Sequence, residues 1–361
     1  MYNESLRPAT IPTELVVKIE PLLRESVTSF VRRVCDEITR HKATVLMAMV
    51  YGTVEASAEW GRELKRGLGG IDFPLMWIEG ASCTGEKIAG VQLFLIDRSV
   101  EVKRIVINDR VVGSVFQEGG ARHCLLAGLT PTEVLLPRAA QCEQFFKSAE
   151  QALREAGFSF GDIARTWFYN DEILAWYDDF NRVRTAFYAK QKFRFGSLPA
   201  STAVRGRNPR GAALTFGAWA VVPVSSGVTV REIASPLQCP APAYGSSFSR
   251  AMEISSGGRK RLLVSGTASI EPGGKTMWLG DVVKQIALTM QVVEAMLRPC
   301  GLGFGDVTRA TAYFKHAADQ KFFQRWLRDH ALEAMPVVPV HCDICRDDLL
   351  FEIELDACSM Q

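Results

Sequence analysis

Apolar residues recur first at helical and then at strand spacing in the opening third of the chain. Val16, Ile19, Leu22, Leu23, Val27, Phe30, Val31 and Val34 form one stripe across residues 15–41, predicting an amphipathic helix interrupted or restarted near Pro21. A strand pattern follows over 43–51, then a polar, helix-prone stretch that passes through Gly67-Leu-Gly-Gly70 to a strand ending in Met76-Trp-Ile78. Further strands are predicted over 89–96 and 104–107, with a turn at Asp109-Arg110. Long helical patterns cover 141–155 and 280–298. The closing strand alternates: Phe351, Ile353 and Leu355 share one face, Glu352 and Glu354 the other. Taken alone, that pattern describes a half-buried edge with two solvated acids.

An internal repeat changes this picture. Ala156-Gly-Phe-Ser-Phe-Gly-Asp162-Ile-Ala-Arg165-Thr and Cys300-Gly-Leu-Gly-Phe-Gly-Asp306-Val-Thr-Arg309-Ala lie 144 residues apart. Upstream, Cys124-Leu-Leu-Ala-Gly-Leu-Thr130 parallels Leu262-Leu-Val-Ser-Gly-Thr-Ala268. Each copy reads as β-β-α-β-α-β over about 120 residues, a normal domain size. The proline-rich Ser235-Pro-Leu-Gln-Cys-Pro-Ala-Pro-Ala-Tyr244 reads as an extended connector. The expected organisation is therefore a helical extension over 1–70, a degenerate first module over 71–234 and a second module over 235–361. The first copy's last strand, Ala213-Leu-Thr-Phe-Gly-Ala-Trp-Ala220, lacks the acids. Its preceding segment carries Arg205 and Arg207 where the second copy carries Cys345. One module offers arginines and the other an acid and a thiol, which points to an asymmetric cleft between them.

Composition narrows the chemistry. The 361 residues are 47% hydrophobic and 23% charged with a net charge of +2, an ordinary globular balance with no basic run for nucleic acid. No apolar run reaches membrane-spanning length, and the first residues lack the features of a signal peptide, so a cytoplasmic address is expected. Nine cysteines are scattered without metal-ligand spacing. In an extended segment Cys342 and Cys345 project to opposite faces, so no metal is expected. Neither a G-x-S-x-G elbow nor a P-loop is present.

The second module resembles the Rid/YjgF domains, through Ala243-Tyr-Gly-Ser-Ser-Phe-Ser-Arg-Ala251, Val264-Ser-Gly-Thr-Ala-Ser-Ile270, Gly301-Leu-Gly-Phe-Gly-Asp306 and the Glu-Ile-Glu strand. Further motifs make the resemblance more specific: Arg165-Thr-Trp-Phe-Tyr169, Ile173-Leu-Ala-Trp-Tyr177, Phe180-Asn-Arg-Val-Arg184, Ala200-Ser-Thr202, and Cys345-Arg346 ahead of Leu349-Leu-Phe-Glu352. From about Trp77 to Ala357 the set resembles the chorismatases, tandem Rid-like enzymes that remove the enolpyruvyl group of chorismate. The resemblance implies an α+β fold of two tandem Rid/YjgF-like (chorismate mutase-like) modules, with mixed sheets covered by helices and a cleft between them. It also implies a small-molecule substrate, chorismate, with no cofactor and no nucleic-acid or membrane partner. Rid domains form trimers, so either a monomer or a homotrimer is compatible with it.

Enol-ether cleavage begins with protonation of the methylene carbon. That requires an acid still neutral near physiological pH, whereas glutamate ordinarily titrates near 4.3. By resemblance Glu352 is that acid; burial, or Glu354 on the same face, would keep it protonated. The structural alternative is a surface ion pair. By resemblance Cys345 marks the 3-hydroxybenzoate-forming enzymes, where the hydrolytic ones, which make a dihydroxycyclohexadiene carboxylate, have alanine; the plainer alternative is a small buried hydrophobe. Two substrate carboxylates call for cations. Arg165 is the first candidate, then Arg250 and Lys315, with Arg205, Arg207 and Arg346 on flanking loops; Tyr244, Ser247, Thr267 and Tyr313 are candidate hydroxyl donors. Competing readings are an imine deaminase, disfavoured because Val337-Val-Pro-Val-His341 carries no arginine, and a catalytically silent metabolite binder.

Overall fold

Three mixed sheets, each backed by two helices, make up the computed structural model, which describes residues 14–360. The first comprises β1 (Glu14–Ile19), α1 (Val27–His41), β2 (Ala43–Gly52), α2 (Ala56–Leu68), β3 (Leu75–Glu79) and β4 (Ile88–Asp97), in strand order β1-β4-β2-β3. The second has β5 (Lys103–Ile107), β6 (Arg110–Glu118), β7 (Ala121–Leu129), α3 (Arg138–Glu155), β8 (Ile163–Asn170), α4 (Ile173–Tyr188), β9 (Ala200–Arg205) and β10 (Leu214–Pro223), ordered β5-β6-β7-β10-β8-β9. The third repeats that order as β11-β12-β13-β16-β14-β15. Its elements are β11 (Thr229–Ile233), β12 (Ala251–Ser256), β13 (Arg259–Ala268), α5 (Val282–Leu297), β14 (Val307–Phe314), α6 (Gln320–Asp329), β15 (Val337–His341) and β16 (Phe351–Met360). In every sheet the only parallel pair is the edge pair, β2-β3, β8-β9 or β14-β15, whose crossover helix is α2, α4 or α6.

The α+β class is as expected, but the unit occurs three times, not two. The helical extension expected over 1–70 is replaced by two helices and two of the four strands of a sheet; of that stretch, residues 1–13 lie outside the described residues. The boundary expected at residue 70 falls ahead of β3 and β4, which pair with β2. The boundary at 235 falls after β11, which already pairs with β12. The stripe over 15–41 divides for a local reason. Val16 and Ile19 lie on β1, Leu22 and Leu23 are exposed, and the helix starts only where the Ser26 hydroxyl accepts from Ser29 N at 3.1 Å. The segment 200–207, read as a loop, is largely β9. The repeated Phe-Gly-Asp is structural: Asp162 and Asp306 accept from Ser159 N (2.7 Å) and Gly303 N (2.8 Å), closing a single 3-10 turn before β8 and β14.

Each sheet turns one face to its own helices and the other to its neighbours. On β16, Phe351, Ile353 and Leu355 pack in one core with Met290 and Val293 of α5, which leaves Glu352 and Glu354 facing the inter-sheet core. Equivalent tyrosines from the three sheets meet there. Tyr51 of β2 lies 3.1 Å from Tyr169 of β8, hydroxyl to hydroxyl, and Tyr169 lies 3.2 Å from Tyr313 of β14. Thr311 closes the chain with a 3.1 Å bond to Tyr51. All three rings are buried, so each hydroxyl depends on the others for its partners. Removing the central one, in Tyr169→Phe, is expected to cost about 1–3 kcal/mol in chemical denaturation, because two buried hydroxyls each lose a partner.

Candidate active site

A bulge in β13 creates the site. Between Val264 and Thr267 the ladder to β16 slips, releasing Ser265 and Gly266 from that pairing. The free edge β9 of the second sheet takes their place. Ser201 N donates to Ser265 Oγ at 2.8 Å, and Gly266 N donates to Thr202 Oγ1 at 3.0 Å. Above this seam opens a cavity of about 1120 Å³, walled by α4, the 244–250 segment, the 345–349 loop and Glu352 of β16. Gly266 is required by close approach: a Cβ there would lie 2.1 Å from Glu352 Oε1.

Two carboxyls two residues apart are driven in opposite directions. Glu352 is 4% exposed and titrates at about 8, raised first by burial and then by the charge of Glu354, with Arg165 and Arg250 offsetting only part. Glu354 is fully buried, yet its carboxyl is held below the ordinary value. Burial pushes it up, and the charges of Arg309 and Arg165 with hydrogen bonds from Thr202 and Arg309 outweigh that. Its oxygens accept from Arg165 Nη2, from Thr202 Oγ1 at 2.6 Å and from Arg309 Nη1 at 3.0 Å. Arg309 also binds Asp356 through Nε at 2.5 Å. Glu354 is therefore a fixed anion and Glu352 a neutral acid at the cavity floor, a division of roles that suits proton donation.

The cavity wall carries both signs of charge, with Asp178, Asp179 and Asp347 beside its arginines. Arg184, Arg250 and Arg346 all line it, and among the described residues none of them forms an ion pair with a carboxylate. Arg250 is anchored by Nε and Nη2 to Cys239 O at 3.1 and 2.9 Å. Arg346 donates to Gly274 O at 2.7 Å. Their guanidiniums lie 5.4 and 5.3 Å from the Tyr244 ring. Arg184 rests 4.9 Å from the Phe180 ring and donates to Asn181 Oδ1 at 2.6 Å, while its Nε has no partner. The Cys345 thiol, hydrogen-bonded to the Tyr177 hydroxyl, is pushed up to about 12 by burial and by Glu352, so it is neutral.

Of the residues singled out from sequence, Glu352, Cys345, Arg250, Tyr244 and Arg346 come together around this cavity. Others do not line it. Arg165 is sealed beneath it, bound to Glu354 and Thr202, because its strand faces the inter-sheet core. Lys315 is held by Asp347 Oδ1 at 2.6 Å, Arg207 by Glu79 at 2.7 Å and Arg205 by Asp343 at 3.2 Å. Ser247 bonds Thr185 at 2.6 Å, Thr267 bonds the Ser265 carbonyl at 2.8 Å, and Tyr313 belongs to the tyrosine chain. Arg184 and Tyr177 were not singled out, although both stand in the motifs quoted above. Their helical spacing reads as one aromatic face, and only the crossing of α4 over β9 turns that face toward the cavity. Among the described residues no cluster of three His, Cys, Asp or Glu suits a metal, and no helix is long and apolar enough to cross a membrane.

This arrangement is an acid-bearing, anion-receptive cleft at a junction of sheets, and the fold that carries it is that of a chorismatase. A crystal structure of a chorismatase superposes with TM-score 0.66 at 20% identity, covering 95% of this chain and 98% of that one. In sequence the chain is similar to 3-hydroxybenzoate synthase of Streptomyces hygroscopicus, 29% identical over 232 residues, 56% of this chain and 65% of that protein. It is also 32% identical over 118 residues to the chorismatase of Streptomyces rapamycinicus, covering 30% of this chain and 35% of that one. The matched stretches thus span less than two thirds of these curated relatives. No protein-family profile matches the chain.

The raised value of Glu352 has a consequence for stability. Its carboxyl contributes stability that is fully present below the ordinary glutamate range and is lost as pH rises through about 8. Unfolding free energy measured across that window should fall for the wild type more steeply than for Glu352→Gln, and the difference curve should have its upper inflection near 8.

Proposed function

We propose that this protein cleaves chorismate to pyruvate and 3-hydroxybenzoate. The observation that carries the reading is the neutral Glu352 carboxyl at the floor of a cavity whose wall presents Arg184, Arg250 and Arg346 without carboxylate partners. Chorismate supplies both complements, a protonatable enol ether and two carboxylates for the guanidiniums. Glu352 delivers its proton to the methylene carbon of the enolpyruvyl group, and the resulting oxocarbenium ion is captured by an oxygen nucleophile. Collapse of the adduct releases pyruvate and returns a proton to Glu352. If a hydroxyl of the substrate is the nucleophile, the ring aromatises and no water is consumed. If water is the nucleophile, the products are pyruvate and a dihydroxycyclohexadiene carboxylate. Cys345, neutral and close enough to Glu352 for that carboxyl to raise the thiol's titration, favours the first outcome. The names of the two curated relatives agree with this reading.

Glu354, Arg165 and Arg309 act through Glu352 as positioning residues: the fixed anion keeps the acid protonated, and the arginines keep the anion in place. The three sheets already meet inside one chain, which supports a monomer. Nine cysteines, all free, support a reducing, cytoplasmic setting.

Incubation of purified protein with chorismate, with pyruvate and aromatic products followed separately, tests the reading; absence of pyruvate overturns it. kcat/KM should fall as pH rises through about 8, since ionised Glu352 has no proton to give. Glu352→Gln should lose at least about 100-fold with the fold intact by circular dichroism. Cys345→Ala should retain pyruvate release and divert part of the product to the diene acid. Activity should survive exhaustive chelation, and sedimentation equilibrium should give the mass of one chain.

A further inference from the structure

The active-site cavity has a counterpart at another junction of sheets. Where the second and third sheets meet, edge strand β9 lies against the bulge of β13; where the first and second meet, edge strand β3 lies against a bulge in β7, at Gly128. Strand registers fix the equivalences. Met76 of β3 and Thr202 of β9 occupy matching rungs, so Leu75 and Trp77 stand where Ser201 and Ala203 stand in the active site. Thr215 pairs with Tyr169 as Glu352 pairs with Tyr313. Asn208 precedes Thr215 by the seven residues that separate Cys345 from Glu352.

A cavity of about 600 Å³ opens there, lined by these same residues: Leu75, Trp77, Gly128, Asn208 and Thr215, under α2 as the active site lies under α4. At the third junction Val338 of β15 packs directly onto Gly90, where a Cβ would meet its methyl at 2.9 Å.

The second cavity has kept a site's polarity without its acid. Thr215 replaces Glu352, and its hydroxyl is bonded to Leu129 O at 3.3 Å. Arg110 and Arg210 both line the cavity, and among the described residues neither forms an ion pair. They lie near enough that the charge of Arg210 adds to burial in pushing the Arg110 guanidinium down, an arrangement that an anion between them would relieve. Asp109 at the rim is exposed and pairs with neither. Trp60 and Trp77, edge to face with ring centroids 5.8 Å apart, form its apolar wall. Two cations without carboxylate partners beside an apolar wall are the features an anionic ring would satisfy.

We propose that this cavity is a second, non-catalytic site for a small aromatic monocarboxylate, its carboxylate held by Arg110 and Arg210 and its ring packed on Trp60 and Trp77. The site binds and does not cleave, because no proton donor stands at position 215. It owes nothing to the identity of the reaction at Glu352.

The test is a fluorine NMR titration of the full chain with 4-fluorobenzoate. Wild type should show two saturable sites. Arg250→Gln should weaken one and leave the other, and Arg110→Gln combined with Arg210→Gln should weaken that other by about tenfold or more, the loss of charge-assisted bonds. Unchanged thermal melting, and unchanged turnover at the first site, should accompany the double variant. Should it not fold, Arg210→Gln alone removes an exposed charge and gives the same direction. A single site abolished by Arg250→Gln, or two sites indifferent to Arg110 and Arg210, would overturn the proposal. Binding is read without turnover, so failure to cleave chorismate leaves this result standing.

Discussion

Glu354 is an ionised carboxylate with no access to water, and the rest of the site follows from how it is held. Two guanidiniums and a hydroxyl share its two oxygens, and one of those guanidiniums is itself tied to Asp356. Burial of such a cluster is costly, and breaking it by deleting one partner typically costs about 3–5 kcal/mol, because the remaining charges are left without counter-ions. What the cluster provides is a permanent negative charge beside Glu352. Burial alone would raise that acid; the charge keeps it raised even though Arg165 and Arg250 pull the other way. An ordinary glutamate is thus kept protonated near neutral pH by its surroundings.

The surroundings come from three sheets. Arg165 arrives from β8, Arg309 from β14 and Thr202 from β9, and Gln92 of the first sheet accepts from Arg309 at 3.1 Å. Gln92 pairs with Met49 on the rung where Glu354 pairs with Thr311, so the first sheet contributes an uncharged analogue of the same position. The first sheet is therefore part of the electrostatic setting of the acid, although none of its described residues lines the cavity.

Much of this was legible in the sequence. Alternation on β16 gave the two faces correctly, and comparing the two clear repeats marked Glu352 and Cys345 as departures from a shared plan. The third copy was not legible, because the Phe-Gly-Asp turn that advertises the others is absent from it. Its helix start was also obscured by a strand whose apolar residues happened to continue the helical stripe. Arg165 looked like a substrate ligand because a buried arginine needs an anion; sequence alone does not say that the anion is Glu354, 189 residues away. Arg184 was hidden for the converse reason, since a cation within an aromatic helix face reads as packing until the crossing of α4 over β9 is known.

Joining three copies of a module in one chain removes a constraint that identical subunits impose. In a symmetric ring each substitution appears at every junction at once, so a residue useful at one must be tolerated at all. Here each junction varies independently: one holds an acid against a glycine, one a threonine beneath two indoles, and one is closed by a valine. Covalent linkage thereby converts a repeated architecture into three separately inherited junctions, and a chemistry that needs one acid in one place can be tuned without disturbing the packing of the other two.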